Sequence, residues 1–502
     1  MKKTNRILFL WAVVLSAVFI GLASKSSPLY PLNDWVDVNC FFTMGRSILD
    51  GMVPYRDLYE QKGPVLYFVY AIIALFSRDS YIGVYLLEVL TFGLFLYFSG
   101  KLAQLYLGKS RTVYFILAIL AACVVTSWSF THGGSVEQNC LFILVYGMYS
   151  VLRAIRENRS LKFGEAFLNG IFAAILLWVK YTMLGFYIGL ALFILIWYLS
   201  DKALHKKLLF TIGQFLLGVA AVSAVVFLYF GIYGAIGDLF TVYFYNNIFL
   251  YPTKLEQSHL QITWDYTLMA IQNNTNFGFL ILSGIPFAFL RKSTGWKEGL
   301  MIGLCFLMTA IGTYWGGKPW DYYGLIFAAF CIFGLVVWTD LIRKTPLHNL
   351  WKQLTSFQMP TVIIALMLMV GILVSNTITF NQNMYLSSYS KEDTVQYRFA
   401  KIIRTVDNPT LLNYGFLDGG FYYAADATPA SRYFCTFNLD SPEMWEAHGT
   451  CIANGEADFI VTRYHPLESY YVDMSHYQLV DQADYPYDQN YTYTFYLYQK
   501  IT

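Results

Sequence analysis

"DWVDVNCFFTMGRSILDGMVPYRDLYEQKGP", Asp34 to Pro64, follows directly on an apolar span and carries Asp34, Asp37, Asp50, Asp57, Glu60, Arg46, Arg56 and Lys62. The rest of the chain is poor in charge. Of its 502 residues 57% are apolar and 13% charged, with a mean hydropathy of +0.45, whereas soluble domains carry roughly 25% charged residues. This is the composition of an integral membrane protein. A net charge of +2, with no Lys/Arg run interleaved with aromatics, excludes nucleic acid as a partner. Seven cysteines form no Cys-x-x-Cys pair, so neither a structural zinc site nor a thioredoxin-like motif is expected, and Cys435 with Cys451 is the one candidate disulfide.

Working outward from the quoted stretch, the run Ile7 to Ala23 before it reads as a retained first helix rather than a cleaved signal peptide. Ten more apolar runs follow, near 81–103, 112–128, 139–152, 165–180, 182–199, 208–232, 276–290, 298–315, 322–339 and 360–379. Eleven spans are therefore expected. The segments carrying Lys109 and Arg111, Arg153 to Lys162, Lys202 to Lys207, Arg291, Lys292 and Lys297, and Arg343, Lys344 and Lys352 all fall on the side of Lys2, Lys3 and Arg6. The positive-inside rule makes that side cytoplasmic. The loops 24–80, 129–138 and 233–275, the turn "GGKPWDYY" and everything after Phe380 then lie outside. Arg46, Arg56, Lys62 and Arg78 run against that charge bias, which points to a local task for them.

Within the first outer loop, Phe41, Met44 and Ile48 recur at helical spacing while Arg46 and Ser47 fall off that stripe. An amphipathic helix along the membrane surface is expected. Pro64 opens "PVLYFVYAIIALFS", which as a helix reaches about 20 Å of a roughly 30 Å hydrocarbon core. It reads as a second interfacial or dipping helix. From Ser390 the composition turns polar: "KEDTVQYRFAKIIRTVD" has helical periodicity, and "TLLNYGF", "DFIVTRYH" and "YTYTFYLYQ" read as strands. The expected architecture is a polytopic α-helical membrane domain, 1–380, followed by a small extracytoplasmic α/β domain, 381–502. No repeat of 20–50 residues is visible.

The outer side gathers the polar groups that the composition withholds elsewhere: Asp34, Asp37, Asp57, Glu60 and Lys62, then His132 and Glu137 in "THGGSVEQN". Acids and a fixed base at one membrane face suggest a site. Asp37 has two readings, the N-cap of a helix or a general base taking a proton from an attacking hydroxyl. Lys62 is either an interfacial anchor or the cation that neutralises a phosphate leaving group. Lys180, in "LLWVKYTML", is either a boundary anchor or a second phosphate contact. Glu88, inside an apolar run, packs against a neighbouring helix or faces a cavity. His132 and Glu137 are two ligands without helical spacing, so no metal and no cofactor are expected. "GFLDGGFYYAAD" lacks the Lys-Ser/Thr ending of a phosphate loop and reads as a strand-to-helix turn.

The ordered set "Asp37-Val-Asn-Cys-Phe41-x-x-x-Gly45", "Gly51-x-x-Pro54-Tyr55-x-Asp57" and "Glu60-Gln-Lys62-Gly63-Pro64" resembles the first extracytoplasmic loop of GT-C class glycosyltransferases. Within that class it is similar to the bacterial relatives of protein O-mannosyltransferases and aminoarabinose transferases. The likeness runs more loosely through the membrane region, with Glu137 as an acid in the second outer loop, Lys180 at the outer end of a middle span, and a Tyr-rich turn before a late span. That turn departs from the pattern: relatives often have His-Tyr where this chain has Trp320-Asp321-Tyr322-Tyr323.

The resemblance implies a GT-C fold and inverting transfer of a sugar from a polyprenyl-phosphate carrier to a cell-surface acceptor, whether polysaccharide, teichoic acid, glycolipid or protein. It implies Asp37 as the catalytic base, with Asp34 and Glu137 as supporting or alternative bases. Lys62, Arg56 and Lys180 would bind the donor phosphate, and Asp57, Glu60, His132, Asp321 and Tyr322 the substrates. Asp34 and Asp37 lie three residues apart, a spacing that on a helix puts both on one face. Asp37 alone keeps the family's distance to Phe41 and Gly45. The competing class is a transporter or flippase of a lipid-linked saccharide. Such proteins commonly show two related halves with interrupted spans, and here the polar groups collect at one face instead.

Overall fold

The computed structural model describes residues 3–252, 257–290, 295–345, 359–439, 441–486 and 491–501. Lys2, Arg291, Lys292 and Lys352, used above to assign sidedness, lie outside the described residues. In chain order the first helices are α1 (Lys3–Ala23), α2 (Val36–Leu49), α3 (Pro64–Phe76), α4 (Ile82–Leu107), α5 (Thr112–Val125), α6 (Val136–Arg156), α7 (Phe163–Lys180) and α8 (Gly185–Ser200). Helices Leu208–Ile232, His259–Asn273, Thr275–Leu290, Gly295–Tyr314, Cys331–Ile342 and Met359–Phe380 follow. Each of the eleven expected apolar runs is helical. Among the described residues, seven helical segments are long and apolar enough to cross a membrane, and one of them, Phe163–Ser200, holds both α7 and α8. This is a multi-pass membrane protein.

Chain contacts divide the protein into two units. The first comprises Met1–Ala23, Leu86–Val225 and Thr253–Asn381. Its helices pack through small residues, because lipid supplies no hydrophobic drive between helices and close backbone approach must replace it. Gly185 and Gly189 show this where α8 crosses Gly295–Tyr314: a Cβ on either would stand 2.1 Å from the Met308 carbonyl oxygen or 2.5 Å from that of Leu304. Glu88, wholly buried, accepts a 2.9 Å hydrogen bond from the Gln138 side chain, the helix-packing reading of that residue.

The second unit comprises Ser24–Tyr85, Val226–Pro252 and Gln382–Thr502, so the charged first loop shares a unit with the tail. The tail is an α/β domain with strands β1 (Thr410–Tyr414), β2 (Thr428–Pro429), β3 (Phe459–Arg463), β4 (Tyr477–Pro486) and β5 (Thr492–Lys500) in the order β2-β1-β3-β5-β4. β1 pairs parallel with β2 and β3; β5 pairs antiparallel with β3 and β4. Leu412, Tyr414, Ile452, Ile460 and Tyr498 form the core of its sheet. The glycine-rich segment is the expected strand-to-helix turn: Gly415 (φ 86°) and Gly420 (φ 90°) take left-handed backbone between β1 and the short helix Phe421–Ala425.

Helix α2 departs from its sequence reading in one respect. Phe41 and Met44 are buried as expected, but so are Arg46 and Ser47 on the face assigned to solvent. The tail covers them. Arg46 pairs with Asp426 and donates 3.3 Å to the Tyr422 carbonyl, which a reading of helical periodicity within the loop does not reveal.

Candidate active site

Two short devices set the geometry at the start of α2. Asn33 donates to Ser26 Oγ (2.9 Å) and accepts from the Trp35 N–H (3.0 Å), while the Asn39 amide reaches back to the carbonyls of Asn33 and Trp35 at 3.0 and 3.1 Å. The helix therefore begins at Val36, with Trp35 at the cap position making no side-chain cap. Asp37 is the second helical residue and not the N-cap, which leaves its carboxylate available. Its place in the first turn suits a negative charge.

The segment that carries Lys62 is held by aromatic hydroxyls. Tyr55 and Tyr67 donate to the Lys62 carbonyl at 2.6 and 2.8 Å. Glu60, 5% exposed, accepts the Lys62 backbone N–H at 2.8 Å, and the Tyr67 hydroxyl also lies against it. Asn247 donates 2.7 Å to the Gln61 carbonyl. With both elements fixed, Lys62 Nζ stands 3.9 Å from Asp37 Oδ2 and 5.6 Å from the centre of the Phe41 ring. Asp37 and Phe41 are four residues apart on one helical face, and Lys62 lies over both. Their side chains remain partly open, 19% for Lys62 and 15% for Asp37.

Asp34 has a different fate. It precedes the helix, so the shared face that its spacing suggests does not form. Its Oδ1 pairs with Lys25 Nζ at 2.7 Å and its Oδ2 accepts the Tyr485 hydroxyl at 2.9 Å, with both ions of the pair buried. Arg56 and Asp57 form a two-point pair at 2.8 Å, Arg56 also donates 3.0 Å to the Tyr233 carbonyl, and Asp57 Oδ2 accepts the Val53 N–H at 2.7 Å. Hydrogen bonding from Arg56 holds the Asp57 carboxyl below its usual range. Arg78 pairs with Asp50 in the same two-point way, at 2.9–3.0 Å. Each cation that defies the charge bias thus has an acid beside it.

The remaining predicted residues lie in the other unit. Lys180, 8% exposed, pairs with Glu137, 2% exposed. Its ammonium lies 3.4 Å from the centre of the Tyr323 ring and 5.5 Å from that of Tyr322. Among the described residues, Glu137 Oε2 is buried without a hydrogen-bond partner. Asp321 is exposed and His132 half-buried. No group of three or more His, Cys, Asp or Glu side chains among the described residues could hold a metal. Sequence reasoning gave no role to Lys25, Tyr55, Tyr67 and Tyr485. Of these, Tyr55 stands in the quoted motif and Lys25 is a charge directly after a span; Tyr67 and Tyr485 left no signal.

The fold that carries this arrangement is shared with solved structures of ArnT. ArnT from Cupriavidus metallidurans in the apo state superposes with a TM-score of 0.57 at 14% identity, covering 98% of this chain and 97% of that one. The same protein bound to undecaprenyl phosphate gives 0.56 at 13% identity, covering 99% and 98%. The Archaeoglobus fulgidus oligosaccharyltransferase in complex with Zn and sulfate gives 0.45 at 11% identity, over 91% of this chain and 67% of that one. No protein-family model matches the chain, and no curated protein matches it.

Proposed function

We propose that this protein is an inverting membrane glycosyltransferase that moves a sugar from a polyprenyl-phosphate carrier to a cell-surface acceptor on the extracytoplasmic face. The observation that carries the reading is the pairing of a partly open carboxylate, Asp37, with a partly open ammonium, Lys62, 3.9 Å apart at the starts of two successive helices. ArnT, whose fold this chain shares, has been seen with undecaprenyl phosphate, which supports a lipid-borne phosphate as the donor's leaving group.

Asp37 accepts the proton of an acceptor hydroxyl, and the freed oxygen attacks the anomeric carbon from the side opposite the phosphate. The carbon–oxygen bond to the carrier breaks as the new glycosidic bond forms, with inversion. Lys62 neutralises the departing phosphate monoester, so the step calls for no metal or organic cofactor. Asp34, tied to Lys25 and Tyr485, positions the chain that leads into α2.

Purified protein given a labelled polyprenyl-phosphate sugar and surface-glycan acceptors tests this. Release of free carrier phosphate with labelled acceptor is expected. Movement of the labelled lipid across liposomes without turnover would overturn the reading in favour of a flippase.

A further inference from the structure

We propose that the C-terminal α/β domain holds the acceptor, and that the acceptor is an acidic glycan whose carboxylate or phosphate seats on Arg463 while its sugar rings stack on Tyr464 and Tyr493. The proposal rests on the glycosyltransferase reading above and gives its acceptor a chemical class.

Sheet topology marks the place. In the order β2-β1-β3-β5-β4 the chain leaves β1 for β2 on one side and then crosses to β3 on the other, so its connections diverge between β1 and β3. In open α/β sheets the crevice outside the carboxyl ends of the strands at such a point is where ligands bind. Here Phe416 follows β1, Arg463 ends β3 and Tyr464 comes next, while β5, antiparallel to β3, brings Tyr493 to the same end. Cys435 and Cys451, the pair that the sequence offered as a disulfide, are buried and not bridged, so packing alone holds the loops around this crevice.

The side chains there suit an anion. The guanidinium carbon of Arg463 lies 5.1 Å from the centre of the Phe416 ring, 5.3 Å from that of Tyr464 and 4.6 Å from that of Tyr493. Among the described residues no acid pairs with this half-buried cation, and its Nε is buried without a hydrogen-bond partner. Arg398 in the same domain, by contrast, holds Asp481 at two points, 2.6 and 2.8 Å. A guanidinium is a planar fork of five donors that fits the paired oxygens of a carboxylate or phosphate, and leaving a buried donor unmatched is costly.

The neighbouring ring is presented rather than packed away. Tyr464 has a φ of 69°, a left-handed backbone that a bulky residue takes only where its surroundings impose it, as at ligand clamps. Its N–H donates 2.8 Å to the Thr494 carbonyl, and the Thr462 hydroxyl closes the turn with a 2.7 Å bond to the His465 carbonyl. The Tyr464 ring meets Tyr493 edge-on at 5.1 Å and is 48% exposed. A tyrosine so placed offers an apolar face to sugar C–H groups and a hydroxyl to sugar oxygens, which favours a glycan over an acidic peptide. The same end of the sheet meets the start of α2: a Cβ on Gly420 would stand 3.3 Å from the Asn39 amide, and Tyr485 near the end of β4 bonds Asp34. The crevice and Asp37 therefore lie on one side of this unit, as an acceptor site requires.

The test is titration of the purified full chain in detergent with a galacturonate hexasaccharide, a glycerol-phosphate hexamer, neutral maltohexaose and a glutamate hexapeptide. One or both acidic saccharides should bind, more tightly than the neutral sugar and the peptide, and which of the two binds tells carboxylate from phosphate. Arg463→Gln should weaken that binding about tenfold or more, the loss of a hydrogen bond to a charged group. Tyr464→Asn, which tolerates the left-handed backbone, should weaken it as well, and it carries the test if Arg463→Gln does not fold. Asp37→Asn should bind the glycan like the wild type. Equal binding by wild type, Arg463→Gln and Tyr464→Asn, binding of neither acidic saccharide, or equal binding of the peptide would overturn this inference, whatever the turnover. Arg463-dependent glycan binding by a protein without transferase turnover would instead overturn the proposed function and leave the glycan site standing.

Discussion

Two aspartates three residues apart do different work because helix α2 starts between them. Asp34 is spent on a buried ammonium and a tyrosine, whereas Asp37 faces Lys62 across a partly open gap. The second assignment carries a direct expectation for the carrier. Lys62→Met should weaken binding of polyprenyl phosphate by about 1.5–3 kcal/mol, the worth of a hydrogen bond to a charged group. Titration calorimetry of the purified variant checks this, and unchanged affinity would reduce Lys62 to a membrane anchor. At this scale the sequence was informative about which residues carry charge and much less about what each charge touches. The Asp37–Lys62 pair was legible from motif order. The Lys25–Asp34–Tyr485 group was not, because Tyr485 arrives from a strand 451 residues away along the chain.

The elements were legible wherever one period dominated. Apolar runs became helices, β1 and β3 lie within the stretches whose alternation and β-rich composition marked them, and β5 overruns its stretch by one residue. Strand β4, with Pro486 and four Asp or Gln side chains, lacked that signature, and its place at the sheet edge explains why polar residues are tolerated there. The twelve-residue π-helix Leu239–Leu250 was equally invisible, since a π pitch leaves no common sequence pattern. The contact between α2 and the tail yields a second expectation. Asp418 is wholly buried, accepts bonds from Thr43 (2.6 Å) and the Gly420 N–H (2.9 Å), and burial raises its carboxyl from 3.8 to about 6. The folded chain therefore holds this proton more tightly than the unfolded chain. Its stabilising contribution, roughly 3 kcal/mol for a shift of this size, is present in full below about pH 4 and is lost as the pH rises through about 6. Asp418→Asn keeps both hydrogen bonds without the titration. Thermal midpoints measured from pH 4 to 7 should fall more steeply for the wild type than for the variant, and parallel profiles would refute this role.

At the scale of the whole molecule, the first loop belongs with the tail, and most of the apolar helices form the other unit. Composition could not anticipate this, because loop and tail are separated by the full membrane region in sequence. The proposed sidedness puts that second unit outside. A reporter active only in the cytoplasm, fused after Thr502, should be silent, and activity there would remove the site from the face where a lipid-borne donor is needed. The central claim is tested most directly by the turnover of purified Asp37→Asn and Asp34→Asn proteins with a labelled polyprenyl-phosphate sugar. Asp37→Asn keeps the side chain's size and cannot take a proton, so the account predicts a folded, donor-binding protein whose turnover falls by about 10² to 10⁴. Asp34→Asn should lose thermal stability, because Lys25 is left buried without its counter-charge, while each folded molecule keeps most of its activity. Near wild-type transfer by folded, donor-binding Asp37→Asn would contradict the account.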